Sequence, residues 1–175
     1  MGRDRNAEGR PEQRRPRDRT GRPLPYGITG VATTELHDPE TVTDAVELGE
    51  RLWNESRYFE AHECLELVWH AVDADAAPMW QGVIQIAVAA VHLQRGNPSG
   101  ARRLFGRAAD KLARAPRDTH GLDVAYAKQV CKRAIDAIDA GESVVPPSFP
   151  RLPEGVHLPQ AIATLPPDAA RDARA

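Results

Sequence analysis

Apolar residues recur at helical intervals over five separate stretches, each bounded by a proline, a glycine or a capping residue. Val42, Ala45, Leu48, Leu52 and Trp53 predict a first helix over about residues 39–55. Tyr58, Ala61, Leu65, Val68, Trp69 and Val72 form one stripe and predict a second over about 57–72. A third, over about 78–95, is apolar nearly all round, the pattern of a central buried helix. Ala101, Leu104, Phe105, Ala108 and Leu112 predict a fourth over about 98–114, and Val124, Ala127, Cys131, Ala134 and Ile138 a fifth over about 119–140. Asp38-Pro39 and Asn97-Pro98 each place an N-cap before a proline at the first helical position. Pro78 opens the third helix, Pro116 closes the fourth, and Gly141 offers a C-terminal cap. No stretch alternates apolar and polar residues, so no strand is predicted and the fold class is all-α.

The first two helical pairs read as two copies of one unit. With Ser56-Arg57-Tyr58-Phe59-Glu60-Ala61 set above Gly96-Asn97-Pro98-Ser99-Gly100-Ala101, Ala61 falls on Ala101, Leu65 on Phe105 and Val68 on Ala108. Each tight turn is followed by a small residue where two helices approach closely. The unit resembles the helical hairpin of tetratricopeptide repeats, although its offset of 40 residues exceeds their usual ~34. The expected architecture is a compact five-helix bundle, two tetratricopeptide-like hairpins and a capping fifth helix.

Three parts follow along the chain. Residues 1–35 hold Pro11, Pro16, Pro23 and Pro25 among many charges and no apolar periodicity, which predicts a disordered basic tail. Residues 36–141 make the helical domain. Residues 142–175 hold seven prolines and are expected to be irregular or extended, with Val144, Val145, Phe149 and Leu152 able to pack back on the core. The chain's net charge of -2 hides an excess of +4 over residues 1–22, eight arginines against four acids. A whole-protein nucleic-acid footprint is absent, so nucleic acid is disfavoured as a partner. Cys64 and Cys131 make neither a disulfide framework nor a zinc-finger spacing, and read as reduced thiols on helix faces. No signal peptide is visible and no apolar run is long enough to span a bilayer, so the expected setting is the cytoplasm.

The candidate chemistry lies on the second and third helices. His62, Glu66 and His70 form an i, i+4, i+8 ridge, with Glu63 beside Glu66. On the third helix Gln81, Gln85, Val88 and His92 form one line at spacings of 4, 3 and 4. Polar residues aligned on an otherwise buried helix need partners, and the acids and histidines of the second helix are the expected ones. In one reading Glu63 or Glu66, with His62, bonds Gln85 and His92 and fixes helix register, Glu60 and Gln81 joining the network. In another, His62, Glu66 and His92 bind a divalent metal with an open position, and Glu63 and Glu66 serve catalysis. A metal-free ligand pocket is the third. His-Glu-x-x-Glu departs from the His-Glu-x-x-His of zincin proteases, which argues against a metalloprotease. Arg102, Arg103, Arg107, Lys111 and Arg114 make one side of the fourth helix basic, read first as a solvated face. Trp53, Trp69 and Trp80 read as core, and Gly82 and Gly106 as marks of close packing.

Three strings carry a family resemblance: Tyr58-Phe59-Glu60-Ala61-His62-Glu63-Cys64-Leu65-Glu66-x-x-Trp69, then Gln81-Gly82-x-Ile84-Gln85, then His92-Leu93-Gln94-Arg95-Gly96-Asn97-x-x-Gly100-Ala101. Over roughly residues 45–112 the chain resembles the domain of unknown function 309 family. Members are often labelled predicted metal-dependent hydrolases, so the resemblance implies a divalent metal and hydrolysis at this cluster; His70 lies outside the signature. The alternative function is a non-enzymatic helical-hairpin binding or scaffold module, whose polar cluster is structural. The partner is open between a small molecule, a protein and a second copy of the chain; a membrane is not expected.

Overall fold

Five helices and no strand form among the described residues of the computed structural model, which describes residues 15–30 and 39–158. They are α1 (Val42–Asn54), α2 (Tyr58–Ala71), α3 (Ala77–Gln94), α4 (Pro98–Leu112) and α5 (Val124–Asp139). Each helix packs on its neighbours in sequence, most extensively α3 on α4. The 18 residues of α3 include ten buried ones, and Trp80, Met79 and Val83 are wholly enclosed. The all-round apolar pattern is therefore what a helix with neighbours on most of its surface requires.

The caps explain where each helix starts and stops. Thr41 and Asp44 form a reciprocal capping box at the start of α1. The expected cap Asp38 lies outside the described residues. Asn97 caps α4 through Gly100 N, as its sequence predicts. The fifth helix starts at Val124, five residues later than 119. Asp118 draws in the His120 amide, His120 and Gly121 take positive φ (52° and 76°), and Asp123 becomes the N-cap.

The two aligned turns share one geometry. Ser56 and Gly96 both take left-handed φ, 61° and 67°. The amides of Ser56 and Arg57 donate to the carbonyls of Trp53 and Leu52; those of Gly96 and Asn97 donate to Leu93 and His92. These are paired Schellman bonds, and Gly141 and Glu142 repeat them at the end of α5. Ala61 and Ala101 are fully buried.

Both flanking segments contact the helical domain. Residues 15–30, expected to belong to a disordered tail, lie against the ends of α1 and α3. Asp18 Oδ1 accepts from Thr20 N, Thr20 Oγ1 and Arg22 N, which folds a tight turn. The Arg17 guanidinium lies over the Phe59 ring. Arg19 donates to the Glu55 carbonyl and Arg22 to the Arg95 carbonyl, the C-caps of α1 and α3. Cations at carbonyls left over by two helix ends complement both dipoles, so the arginines dock the segment through charge that a search for apolar periodicity does not register. At the other end, residues 142–158 run as a strap from α5 to α1. Trp53 Nε1 donates to the Pro147 carbonyl at 2.8 Å, Phe149 packs edge-on against Trp53, and Arg151 pairs with Glu50. Phe149 is buried as expected, whereas Val145 is 84% exposed.

The two helical glycines separate. A Cβ on Gly82 would stand 2.9 Å from Leu112 Cγ and 3.3 Å from the Ala108 carbonyl, so Gly82 lets α3 approach α4. A Cβ on Gly106 meets nothing within 4 Å, so the close packing expected there is absent. Gly106→Ala should accordingly raise stability by about 0.5–1 kcal/mol, the ordinary gain of removing a helical glycine. Gly82→Ala should lower it, because overpacking costs about 1–3 kcal/mol against that gain. Thermal melts of both variants check this; equal stabilisation by both would contradict the close approach.

Candidate functional site

The expected cluster is built on the outward sides of α2 and α3. On α2, His62, Glu63, Glu66 and Trp69 are half-buried and His70 is exposed, while Glu60, Ala61, Cys64, Leu65, Leu67 and Val68 turn inward. On α3, Gln81, Gln85, Val88 and His92 are half-buried in an otherwise enclosed helix. The line of polar residues is thus the narrow edge of α3 that reaches the surface.

Two residues of that edge bond residues of the α4 hairpin. Lys111 Nζ donates to Gln81 Oε1. Asn97 Nδ2 donates to His92 Nδ1 at 2.9 Å, and the His92 ring sits where a Cβ on Gly100 would be. Gln85 Oε1 is buried without a hydrogen-bond partner among the described residues. No hydrogen bond joins His62 or Glu66 to Gln85 or His92. Gln81 and His92 on the edge of α3 thus meet its other neighbour.

The α2 residues are engaged locally. His62 Nδ1 donates to the Phe59 carbonyl one turn back, since a carbonyl can only accept. Glu60 is 5% exposed and takes both arms of the Arg57 guanidinium at 2.6 and 2.7 Å. From the first turn of α2 it thus holds the N-cap residue Arg57. Glu66 makes no hydrogen bond to a described residue; desolvation pushes its carboxyl above the ordinary range, with His70 opposing. Desolvation likewise holds both His62 and His92 below the ordinary imidazole value. The charges acting on them next are cationic: Arg95 and Arg17 at His62, Arg95 and Arg103 at His92.

The metal set His62, Glu66 and His92 is not assembled. Among the described residues no three of His, Cys, Asp and Glu gather closely enough to hold a metal ion. The reason is chemical as well as geometric. His92 Nδ1 accepts the Asn97 amide proton, so in the neutral ring Nε2 carries the remaining proton and no lone pair is free for a metal. The guanidiniums beside both rings would also repel a cation. Cys64 and Cys131 are buried, with thiols pushed up to about 12 by desolvation, so neither supplies a thiolate.

Two features escaped the sequence pattern. His120, 3% exposed, accepts Trp80 Nε1 at its Nδ1 and ties the loop before α5 to α3. Its loop has no helical period to flag it; a buried Trp needing a partner was the available signal. A groove of about 530 Å³ opens between α4, α5 and the strap, lined in part by Phe105, Tyr126, Val130, Arg133 and Pro146. It exists because the strap folds back, which proline content does not foretell.

Glu66 yields a pH test. Its folded pKa is raised, so the folded chain holds that proton more tightly than the unfolded chain, and stability falls as pH rises through the folded value. Glu66→Gln carries no such penalty. The variant's melting temperature should match wild type near pH 4 and exceed it at pH 8. A lower melting temperature at pH 8 would mean that ionised Glu66 has a stabilising partner.

Residues 46–104 match the model of a family described as Domain of unknown function (DUF309). The uncharacterized protein YpuF of Bacillus subtilis (strain 168) is 31% identical over 96 residues, 51% of this chain and 55% of that protein. The chain thus spans about half the length of the curated relative it matches. The family match runs from α1 to the middle of α4 and takes in all three signature strings, α2, α3 and both aligned turns. Over residues 46–104 the chain is similar to the DUF309 family.

Proposed function

We propose that this chain is a non-enzymatic helical binding or scaffold module and that its His/Glu/Gln cluster is structural. The observation that carries the reading is how the cluster is bonded: His92 Nδ1 accepts from Asn97, arginines lie beside both rings, and among the described residues no three metal donors gather there. A metal-dependent hydrolase needs an open cation site, and these residues do not fit one. His62, Glu60, Gln81 and His92 each bond within the turns and helix contacts that build the fold. The two hairpins, which resemble those of tetratricopeptide repeats, and the groove beside α5 supply surface for a partner. The helical unit 36–141 works together with its C-terminal strap in this reading. The absence of any helix long and apolar enough to cross a membrane among the described residues, and two buried thiols, suit the cytoplasm.

Metal analysis of protein purified without a His tag tests the reading. The expected result is far less than one equivalent of zinc, manganese, iron or nickel, and no shift of the melting temperature on adding Zn²⁺. About one metal per chain, lost in Glu66→Ala with helicity retained, would establish the hydrolase reading instead.

A further inference from the structure

Charge in this protein is sorted by helix pair. Residues 39–77, which hold α1, α2 and their turns, carry ten carboxylates against two arginines, a net of -8. Residues 78–94, nearly all of α3, carry no Asp, Glu, Lys or Arg. Residues 95–139, with α4 and α5, carry ten lysines and arginines against five acids, a net of +5. α3 packs on α2 and on α4 and so forms the seam between the acidic and the basic pair. The strap, through Arg151–Glu50 and the bonds of Asp123 and Leu152, bridges α1 to the start of α5 at the other seam.

Part of this charge is neutralised within each half: Arg57 by Glu55 and Glu60, Arg102 by Asp139, Lys132 by Asp136. Other charges are exposed. Arg103, Arg107, Arg114 and Arg133 are exposed and make no ion pair with a described residue; neither do the exposed Glu40, Glu47 and Asp75. The whole chain is only -2, so two copies repel each other weakly as total charges while their unlike faces attract.

We propose that the basic face of α4 and α5 docks the acidic face of α1 and α2 of a second copy, head to tail. The inference names the partner of the binding module proposed above and rests on that reading. A second copy fits better than a nucleic acid, which would use the basic half alone and be repelled by the acidic half. Because the two patches differ, each docked pair still presents one free face of each sign, and association continues beyond a dimer unless the ring closes.

Sedimentation velocity of the full chain at about 10 mM and about 1 M salt, where the screening length falls from about 30 to about 3 Å, reads this directly. Wild type should form concentration-dependent oligomers at low salt and be monomeric at high salt. Arg103→Glu with Arg107→Glu, and separately Glu40→Lys with Glu47→Lys, should each weaken low-salt association on the order of a hundredfold, since like charges then face each other. Mixed one to one, the two variants should associate again, because each retains the face that the other lacks; circular dichroism confirms that both are folded. A wild type that stays monomeric at low salt, or a mixture that does not pair, overturns the proposal. Binding of a short DNA duplex to monomeric protein through Arg103 and Arg107 also overturns it and assigns the basic face to a polyanion. A metal-binding cluster would alter none of these results, so failure here and failure of the binding-module reading are separately visible.

Discussion

A helix with no Asp, Glu, Lys or Arg, enclosed along most of its length, sets the terms for the rest of this protein. α3 can be buried only if neighbours cover it, and α2 and α4 do so directly. Gly82 lets α4 come close enough that Leu112 fills the space a side chain would occupy. Both ends of α3 then organise more distant chain. Trp80 near its N-terminus must place an indole N–H, and His120 accepts it, which fixes the loop that launches α5. Arg95 at its C-cap donates to the Thr20 carbonyl while its own carbonyl accepts from Arg22. The core's need for cover and its few polar obligations therefore determine where the flanking segments lie.

Helix termini provide the second level of order. Three helices end in the same pair of bonds around a left-handed residue, and two of these ends meet where Gln94 donates to the Ser56 carbonyl. The carbonyls exposed at that end of the bundle attract the arginines of residues 17–22. A segment with no apolar pattern is held there by charge and backbone polarity alone, apart from the contacts of Arg17 and Gly21 with Phe59.

The same contrast explains what the sequence disclosed. Five helices, the caps at Asn97 and Gly141 and the alignment of Ser56 with Gly96 were legible, because spacing and caps are local properties. The partners of the α3 edge were not. Period 3.6 tells which residues share a line and not which of two neighbouring helices that line meets. Gln81 and His92 meet Lys111 and Asn97 of the α4 hairpin, so the metal and network readings, both built on α2, lost their geometry. The contacts of residues 15–30 with the helix ends and the bond of Trp53 to Pro147 were not legible for a related reason: side-chain-to-backbone bonds carry no period.

If α3 is the element on which the others depend, its backbone should open last. Native-state hydrogen exchange tests that most directly. The amides of Val83 to Val91 should exchange only through global unfolding, with a free energy equal to that from denaturant titration. Amides of α1, α5 and the strap should exchange through smaller openings. Exchange of the α3 amides at a lower free energy than those of α1 would contradict the account.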